Sequence, residues 1–187
     1  MKTKIKGREM QGIDNKQYAL SEFFENNNRL RCPECGCLLD PYYRSLRIDF
    51  KSKFDFSTTY DNVDIVSKRF KDFIQLEDYR NVVFFPVNEN NEFFYFHILN
   101  NPVQVNVEKS GIKYKEKCNT CLYPKEIIGG FDIFLNQEEP LLDCFYTSDV
   151  YWRTHNMFGY RIFIGIETYN KLHAQKFKGL DLAAKVF

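Results

Sequence analysis

Two Cys-x-x-Cys pairs place the strongest constraint on how this chain folds. The first pair is Cys32 and Cys35, the second is Cys118 and Cys121, and residues 36–117 separate them. Two thiolates in one tight turn can bind the same ion, and two such turns supply the four ligands of a tetrahedral zinc site. The long separation predicts that a shared ion joins the two ends of a large chain segment, instead of stabilising a small zinc finger.

The residues around the first pair favour a metal-binding turn. Pro33 restricts the backbone, and Gly36 can adopt the positive φ that lets backbone amides face the sulfur atoms. The second pair has Leu122 where the first has this glycine. We predict a structural Zn²⁺ site, because four thiolates leave no coordination position open for catalysis. The predicted ligands, which form two zinc knuckles at 32–37 and 118–121, are Cys32, Cys35, Cys118 and Cys121.

Other interpretations of the cysteines remain open at this point. A disulfide framework is disfavoured because we find no secretory signal, and cytosolic thiols stay reduced. A thioredoxin-like redox pair at Cys32 and Cys35 would leave the second pair unexplained. A further alternative is a set of unrelated buried thiols. Cys37 could replace Cys35 as a ligand, and Cys144 has apolar neighbours that predict a small buried hydrophobic residue.

The composition is that of one folded domain over residues 1–187. Hydrophobic residues make up 44% of the chain and aromatic residues 17%, which is too much apolar material for a disordered protein. No apolar run approaches the ~20 residues of a membrane helix. No apolar segment follows the basic start, so we expect no signal peptide, no membrane partner and a cytoplasmic location. A net charge of +1 argues against indiscriminate nucleic-acid binding.

Two segments have the pattern of a strand, a helix and a second strand. In the first, residues 63–66 predict a strand, Ser67 an N-cap, and residues 82–87 a strand that forms a hairpin with residues 93–99. The helix between them has apolar residues at helical spacing. They are Phe70, Phe73 and Ile74.

The second segment predicts a strand at 161–166, a helix at 168–177, a C′ cap at Gly179 and a closing strand at 180–187. The residues expected on the inner face of this helix are Tyr169, Leu172, His173 and Phe177. The two units, taken as residues 63–87 and 162–187, align without a gap, so we consider a divergent internal duplication as a hypothesis. The predicted fold class is α+β, a mixed sheet with two strand-helix-strand units and a zinc-knuckle pair.

The sequence contains little that points to catalysis. Its three histidines, His97, His155 and His173, lie far apart and match no zinc-protease motif. We find no nucleophile elbow, P-loop or dinucleotide-binding glycine motif. We therefore do not expect an enzyme.

Several short motifs, taken in order along the chain, resemble a bacterial family. They are residues 32–36, 64–70, 82–87, 118–121, 163–167 and 178–180. Over about residues 30–187 the chain is similar to the double-CxxCG-motif proteins, which are cytoplasmic immunity proteins that neutralise polymorphic or contact-delivered toxins. The resemblance implies a non-catalytic, zinc-stabilised protein that binds one cognate toxin and blocks it.

A zinc-ribbon-like nucleic-acid-binding protein is the alternative function. Zinc knuckles occur in such proteins, and basic residues near them would contact phosphates. Arg29 and Arg31 precede the first pair, although overall we do not expect nucleic acid as a partner. The basic residues around the second pair are Lys113, Lys115, Lys117 and Lys125.

Residues 131–152 form the most acidic stretch, with five acidic residues and no basic one. Aromatic residues alternate with these acids, as at tight protein interfaces. Toxins that attack nucleic acids present basic clefts, which an acidic surface complements. The alternative is that the aromatic residues are core and the acids a solvated face. The hypothesis places on the toxin-binding face Glu138, Glu139, Asp143 and Asp149.

Overall fold

The computed structural model describes residues 4–19, 31–40, 49–99, 101–154 and 157–187, so Arg29 and His155, both named above, lie outside the described residues. The elements are β1 (Gly7–Asp14), β2 (Phe56–Thr58), β3 (Asp64–Ser67), α1 (Lys68–Leu76), β4 (Val82–Pro86), β5 (Phe93–Ile98), β6 (Pro102–Val103), β7 (Lys113–Tyr114), β8 (Ile127–Ile128), β9 (Phe145–Thr154), β10 (Met157–Ile164), α2 (Ile166–Gln175), β11 (Leu180–Asp181) and β12 (Lys185–Val186). Neither described helix is long and apolar enough to cross a membrane.

A mixed sheet dominates the fold and confirms the predicted α+β class. Its strands follow the order β4-β5-β3-β2-β1-β10-β9-β6, and β11 and β12 both pair with β1. The pairs β1–β2 and β6–β9 are parallel, and the other pairs in this sheet are antiparallel. Strands β7 and β8 form a separate two-stranded sheet.

The first strand-helix-strand unit forms as the sequence predicts. Ser67 is the N-cap of α1: its Oγ accepts the Phe70 N–H at 3.2 Å and donates to Asp55 Oδ1 at 2.9 Å. The helix buries its three predicted apolar residues. Strands β4 and β5 form the predicted hairpin, with Phe84 opposite Phe96. Strand β5 also pairs with β3 and therefore lies between the two strands that α1 connects.

The second unit differs from the prediction in the position and the inner face of its helix. Helix α2 ends earlier than expected, and Lys176, not Gly179, takes the left-handed conformation that follows it, with φ 52°. The prediction that His173 faces inward was wrong, because this side chain is exposed. Thr168 is buried instead: its Oγ1 donates to Asp143 Oδ1 at 2.8 Å, and this bond compensates the burial of a polar side chain.

The predicted closing strand at 180–187 is divided into β11 and β12, and both pair antiparallel with β1. Strand β1 also pairs antiparallel with β10. Helix α2 therefore connects parallel strands with β1 between them, just as α1 connects β3 and β4 with β5 between them. Both units are split β-α-β arrangements. This shared topology is consistent with a duplication, which stays a hypothesis.

The largest hydrophobic cluster combines residues from both units. It includes Phe70 and Phe73 from α1, Leu172 from α2 and Ile164 from β10. Tyr169, which we expected on the inner face of its helix, and Phe84 are partly buried against this cluster. None of the six cysteines belongs to this cluster, so the main sheet has a core of its own.

Candidate metal centre

The second Cys-x-x-Cys pair lies at the tip of a β-hairpin. Strands β7 and β8 form its base, and the pairing continues outward through hydrogen bonds from Lys115 N–H to Glu126 O (3.0 Å) and from Lys125 N–H to Glu116 O (2.8 Å). A bridge between Lys117 and Pro124 closes the hairpin just before the cysteines. We call residues 113–128 the knuckle hairpin.

The two cysteine turns have the same backbone hydrogen bonds. Cys32 N–H donates to Cys37 O, and Cys118 N–H donates to Tyr123 O, five residues later in each case. The carbonyl oxygen of the first cysteine in each turn also accepts a hydrogen bond from the residue four positions later. The donor is Gly36 N–H in the first turn and Leu122 N–H in the second. The two turns are therefore two copies of one local structure.

The two turns face each other and bring four sulfur atoms together. Cys32 Sγ lies 3.6 Å from Cys118 Sγ, and Cys35 Sγ lies 3.5 Å from Cys121 Sγ. The four ligand atoms all lie within 4.8 Å of one another. These distances exclude disulfides, whose sulfur atoms are about 2.05 Å apart. Within the described part of the chain this is the one group of three or more potential ligand residues spaced to hold a metal ion.

The cluster fits a tetrahedral metal ion in both distance and donor type. A Zn–S bond of about 2.3 Å places the sulfur atoms of a tetrahedron about 3.8 Å apart, close to the spacing described above. Burial raises the pKa of the Cys118 and Cys121 thiols, which disfavours the thiolate form when no cation is bound. A bound metal ion would release the thiol protons, since the thiolate is the ligand.

The alternative ligand Cys37 is not part of this cluster. Its buried thiol donates to Leu38 O at 3.3 Å, while Cys35 occupies the ligand position. Cys144, which we expected to be a buried hydrophobic residue, is only partly buried, and its thiol donates to Asn81 Oδ1 at 3.3 Å.

Polar contacts and aromatic packing hold the two turns against each other and against the sheet. Thr120 Oγ1 donates to Glu34 Oε2 at 2.9 Å across the two turns, and Lys125 Nζ lies 3.6 Å from the same carboxylate. The pKa of Glu34 is lowered, chiefly by the Thr120 hydrogen bond. Behind the turns, the Tyr123 ring packs against Tyr151 of β9, with centroids 5.1 Å apart.

Leu122 occupies a backbone conformation that favours glycine. Its φ is 64°, and the corresponding Gly36 has φ 69°. An L-residue with a side chain pays about 1–2 kcal/mol for this left-handed conformation. The Leu122 side chain is 70% exposed, so packing compensates little of that cost. The sequence difference between the two turns therefore leaves strain in the second one.

The acidic residues of the predicted toxin-binding face fall into two groups. Glu138 and Glu139 are exposed. Asp149 is exposed as well, and its Oδ1 accepts the Val105 N–H at 2.9 Å. Asp143 is partly buried and bonds to other parts of the protein.

Asp143 is the centre of a polar network that sequence reasoning missed. Its carboxylate accepts hydrogen bonds from Tyr79 Oη (2.7 Å), Thr168 Oγ1 (2.8 Å) and Lys171 Nζ (2.6 Å). Lys171 Nζ also lies 3.0 Å from Glu77 Oε2. Burial alone would raise the pKa of Asp143, but these hydrogen bonds outweigh it and lower the pKa below its ordinary value. The network joins three parts of the fold: the residues that follow α1, helix α2, and the residues just before β9.

The histidines lie on separate elements. His97 is buried on β5, and His173 is exposed on α2. The sequence singled out no further catalytic residues, so the cysteine cluster is the candidate functional site of the described residues.

Replacing Leu122 with glycine should stabilise the second turn. We expect Leu122→Gly to raise the local opening free energy at the residue-122 amide by about 0.5–1 kcal/mol, because the removed strain exceeds the entropy cost of glycine. Gly36→Leu is the matched control and should lower the corresponding value in the first turn. A Cβ at Gly36 meets no atom within 4 Å, so only backbone strain changes. Native-state hydrogen exchange measures the local opening free energy in both turns. Faster exchange of the residue-122 amide in Leu122→Gly than in the wild type would contradict the strain argument.

Removing the Asp143 charge should destabilise the protein in a pH-dependent way. We expect Asp143→Asn to lower the free energy of unfolding by about 2 kcal/mol at pH 7, because three donors lose a charged acceptor. The folded-state pKa of Asp143 is lowered, so its stabilisation is present above the unfolded pKa near ~3.9 and is lost as pH falls through the folded pKa. The wild type and the variant should therefore converge in acid.

Urea denaturation at several pH values measures this difference. Asp132→Asn, at an exposed position of the same acidic stretch, is the control and should change stability by less than about 0.5 kcal/mol. If Asp143→Asn lowers the free energy of unfolding by the same amount at pH 3 as at pH 7, the proposed role of the Asp143 charge is excluded.

Comparison with models of known protein families found no match, and comparison with curated proteins found none either. The family resemblance of this chain therefore rests on its short motifs alone.

Proposed function

We propose that this protein is a cytoplasmic immunity protein that binds a cognate toxin and is stabilised by a structural zinc ion. The observation that carries the zinc part is the convergence of four cysteine sulfurs from two matching turns, within 4.8 Å of one another. Four thiolates complete the coordination of zinc, so the ion has a structural and not a catalytic role. The immunity role is what the motif resemblance implies, and a non-catalytic centre agrees with it.

Metal analysis tests the zinc part directly. We expect about one zinc ion per chain in the purified protein, and loss of that zinc in Cys32→Ser and in Cys118→Ser. Cys37→Ser and Cys144→Ser are matched controls, because both thiols bond elsewhere and should leave the zinc content unchanged. Purified protein without zinc, or equal zinc loss in the Cys37→Ser control, would contradict the proposed ligand set.

Residues 131–142 offer a rigid surface for the toxin. Their backbone is fixed by hydrogen bonds from Leu135 N–H to Phe187 O (2.6 Å) and from Leu141 N–H to Lys6 O (2.8 Å). Ile133, Leu135 and Leu141 are buried beneath the segment. A segment held in this way loses little conformational entropy on binding.

The exposed side chains of this segment combine apolar and acidic character. Phe131 is 95% exposed and offers a large aromatic surface to a partner. Asp132, Glu138 and Glu139 are exposed as well. An aromatic anchor with acidic neighbours suits a basic protein surface, such as the active cleft of a toxin that cleaves nucleic acids. Asp143 and Asp149 are left out of this surface because both lie outside residues 131–142 and accept hydrogen bonds from other elements of the fold.

The nucleic-acid-binding alternative receives no comparable support. Lys115 pairs with Glu126, and Lys125 lies near both Glu34 and Glu116. These acids reduce the positive potential that phosphate binding needs. A salt-dependent gel shift with mixed DNA and RNA tests the alternative, and binding that weakens steeply with salt would favour it.

We propose that the adjacent upstream gene encodes the cognate toxin, so binding to its product tests the immunity role. We expect the wild-type protein to bind that toxin and inhibit it, and Glu138→Lys/Glu139→Lys to slow association by about tenfold at low salt, with a smaller loss at high salt. The matched control is Glu92→Lys/Glu108→Lys, which makes the same charge change at two exposed acids elsewhere.

Two different results would contradict the two parts of this proposal. Absence of binding by the wild-type protein would refute the immunity role. Normal inhibition together with equal association rates for the two double variants would refute the surface at residues 131–142 and leave the role itself standing.

A further inference from the structure

An open groove of about 530 Å³ is lined by residues of α2 and of the segment that follows it, which contains β11. Much of its lining is apolar and includes the buried Leu172 and Phe177 and the partly buried Leu180 and Leu182. A volume of this size lies within the range of small-molecule sites, roughly 300–1,000 Å³. We propose that this groove binds a small amphipathic carboxylate, with its hydrocarbon part on these side chains.

The polar part of the lining selects the charge of the ligand. Lys176 and His173 line the groove, and none of the lining residues is acidic. Asp181, between the lining residues Leu180 and Leu182, accepts the Ala183 N–H at 2.9 Å, and the two cations Lys176 and Arg8 outnumber this one acid. A carboxylate is therefore attracted here and an ammonium group is repelled.

Arg8 adds a second positive group beside the groove. Its guanidinium lies over the Tyr169 ring, 4.7 Å from the centroid, and its Nη1 donates to Ala183 O at 3.0 Å. Tyr169 and Ala183 both line the groove, so Arg8 lies next to its wall. The guanidinium therefore adds a positive charge beside the groove, which favours a carboxylate ligand.

The apolar lining and the positive charge of the groove set two separate requirements, or demands, for a ligand. The apolar side chains require a hydrocarbon chain, and the cations require a negative head group. An alkyl carboxylate meets both demands, an alkyl amine meets only the first, and a short polar anion meets only the second. This proposal concerns a surface distinct from the cysteine cluster and from residues 131–142, and it does not depend on the immunity role.

Titration with octanoate, followed by NMR, tests the proposal. We expect chemical-shift changes that are confined to the groove and saturate with a Kd of about 0.1–1 mM, as suits a ligand of about ten non-hydrogen atoms. Octylamine and acetate are the comparison ligands and should bind at least about tenfold more weakly.

Two matched pairs of variants test the apolar lining and the positive charge separately. Ala183→Trp fills the groove and should abolish octanoate binding, whereas Ala184→Trp, at the next exposed residue outside the lining, should not. Lys176→Glu should weaken octanoate binding about tenfold, whereas Lys178→Glu, exposed but outside the lining, should have little effect.

Three results would overturn the proposal. They are the absence of saturable shifts at the groove up to about 10 mM octanoate, equal binding of octylamine, and equal effects of the two variants in either pair. All four substitutions are at exposed positions, so each variant is expected to fold, and its unchanged thermal midpoint confirms that before titration.

Discussion

The contact between the two cysteine turns joins residues 31–38 to the knuckle hairpin. None of the four clustered cysteines belongs to the main hydrophobic cluster, and each segment contributes a buried residue to a smaller one, Leu38 in the first segment and Ile127 in the second. Burial raises the pKa of the Cys118 and Cys121 thiols, which disfavours the thiolate form when no cation is bound. A shared metal ion changes this balance, because structural zinc contributes about 10–16 kcal/mol of binding free energy in small peptides.

The main sheet depends on a different set of interactions. Strand β1 pairs with β2, β10, β11 and β12 and so connects the two split β-α-β units. The Asp143 network joins both helices to β9. Close packing at Gly165 fixes the start of α2, since a Cβ there would lie 1.9 Å from Leu142 O. The protein therefore combines a sheet with its own core and a cysteine centre that holds two distant segments to it.

The predictions that proved correct rest on local patterns. The spacing within each Cys-x-x-Cys pair, the Ser67 cap and the apolar period of α1 involve residues a few positions apart, where local geometry decides the outcome. The inner face of α2 could not be read in this way. Thr168 can be buried because its hydroxyl donates a hydrogen bond to Asp143, which is distant in sequence. For the same reason, no local signal separates the partly buried Asp143 from the exposed Glu138 and Glu139.

The central claim is that a metal ion at the four cysteines holds two segments to a sheet that is stable without it. Hydrogen–deuterium exchange, measured on the purified protein before and after metal removal under reducing conditions, tests it most directly. The account predicts that amides of residues 32–37 and 113–128 lose protection on metal removal, while those of β3, β5 and β10 keep theirs. Equal loss of protection throughout the sheet, or unchanged protection in both cysteine turns, would contradict it.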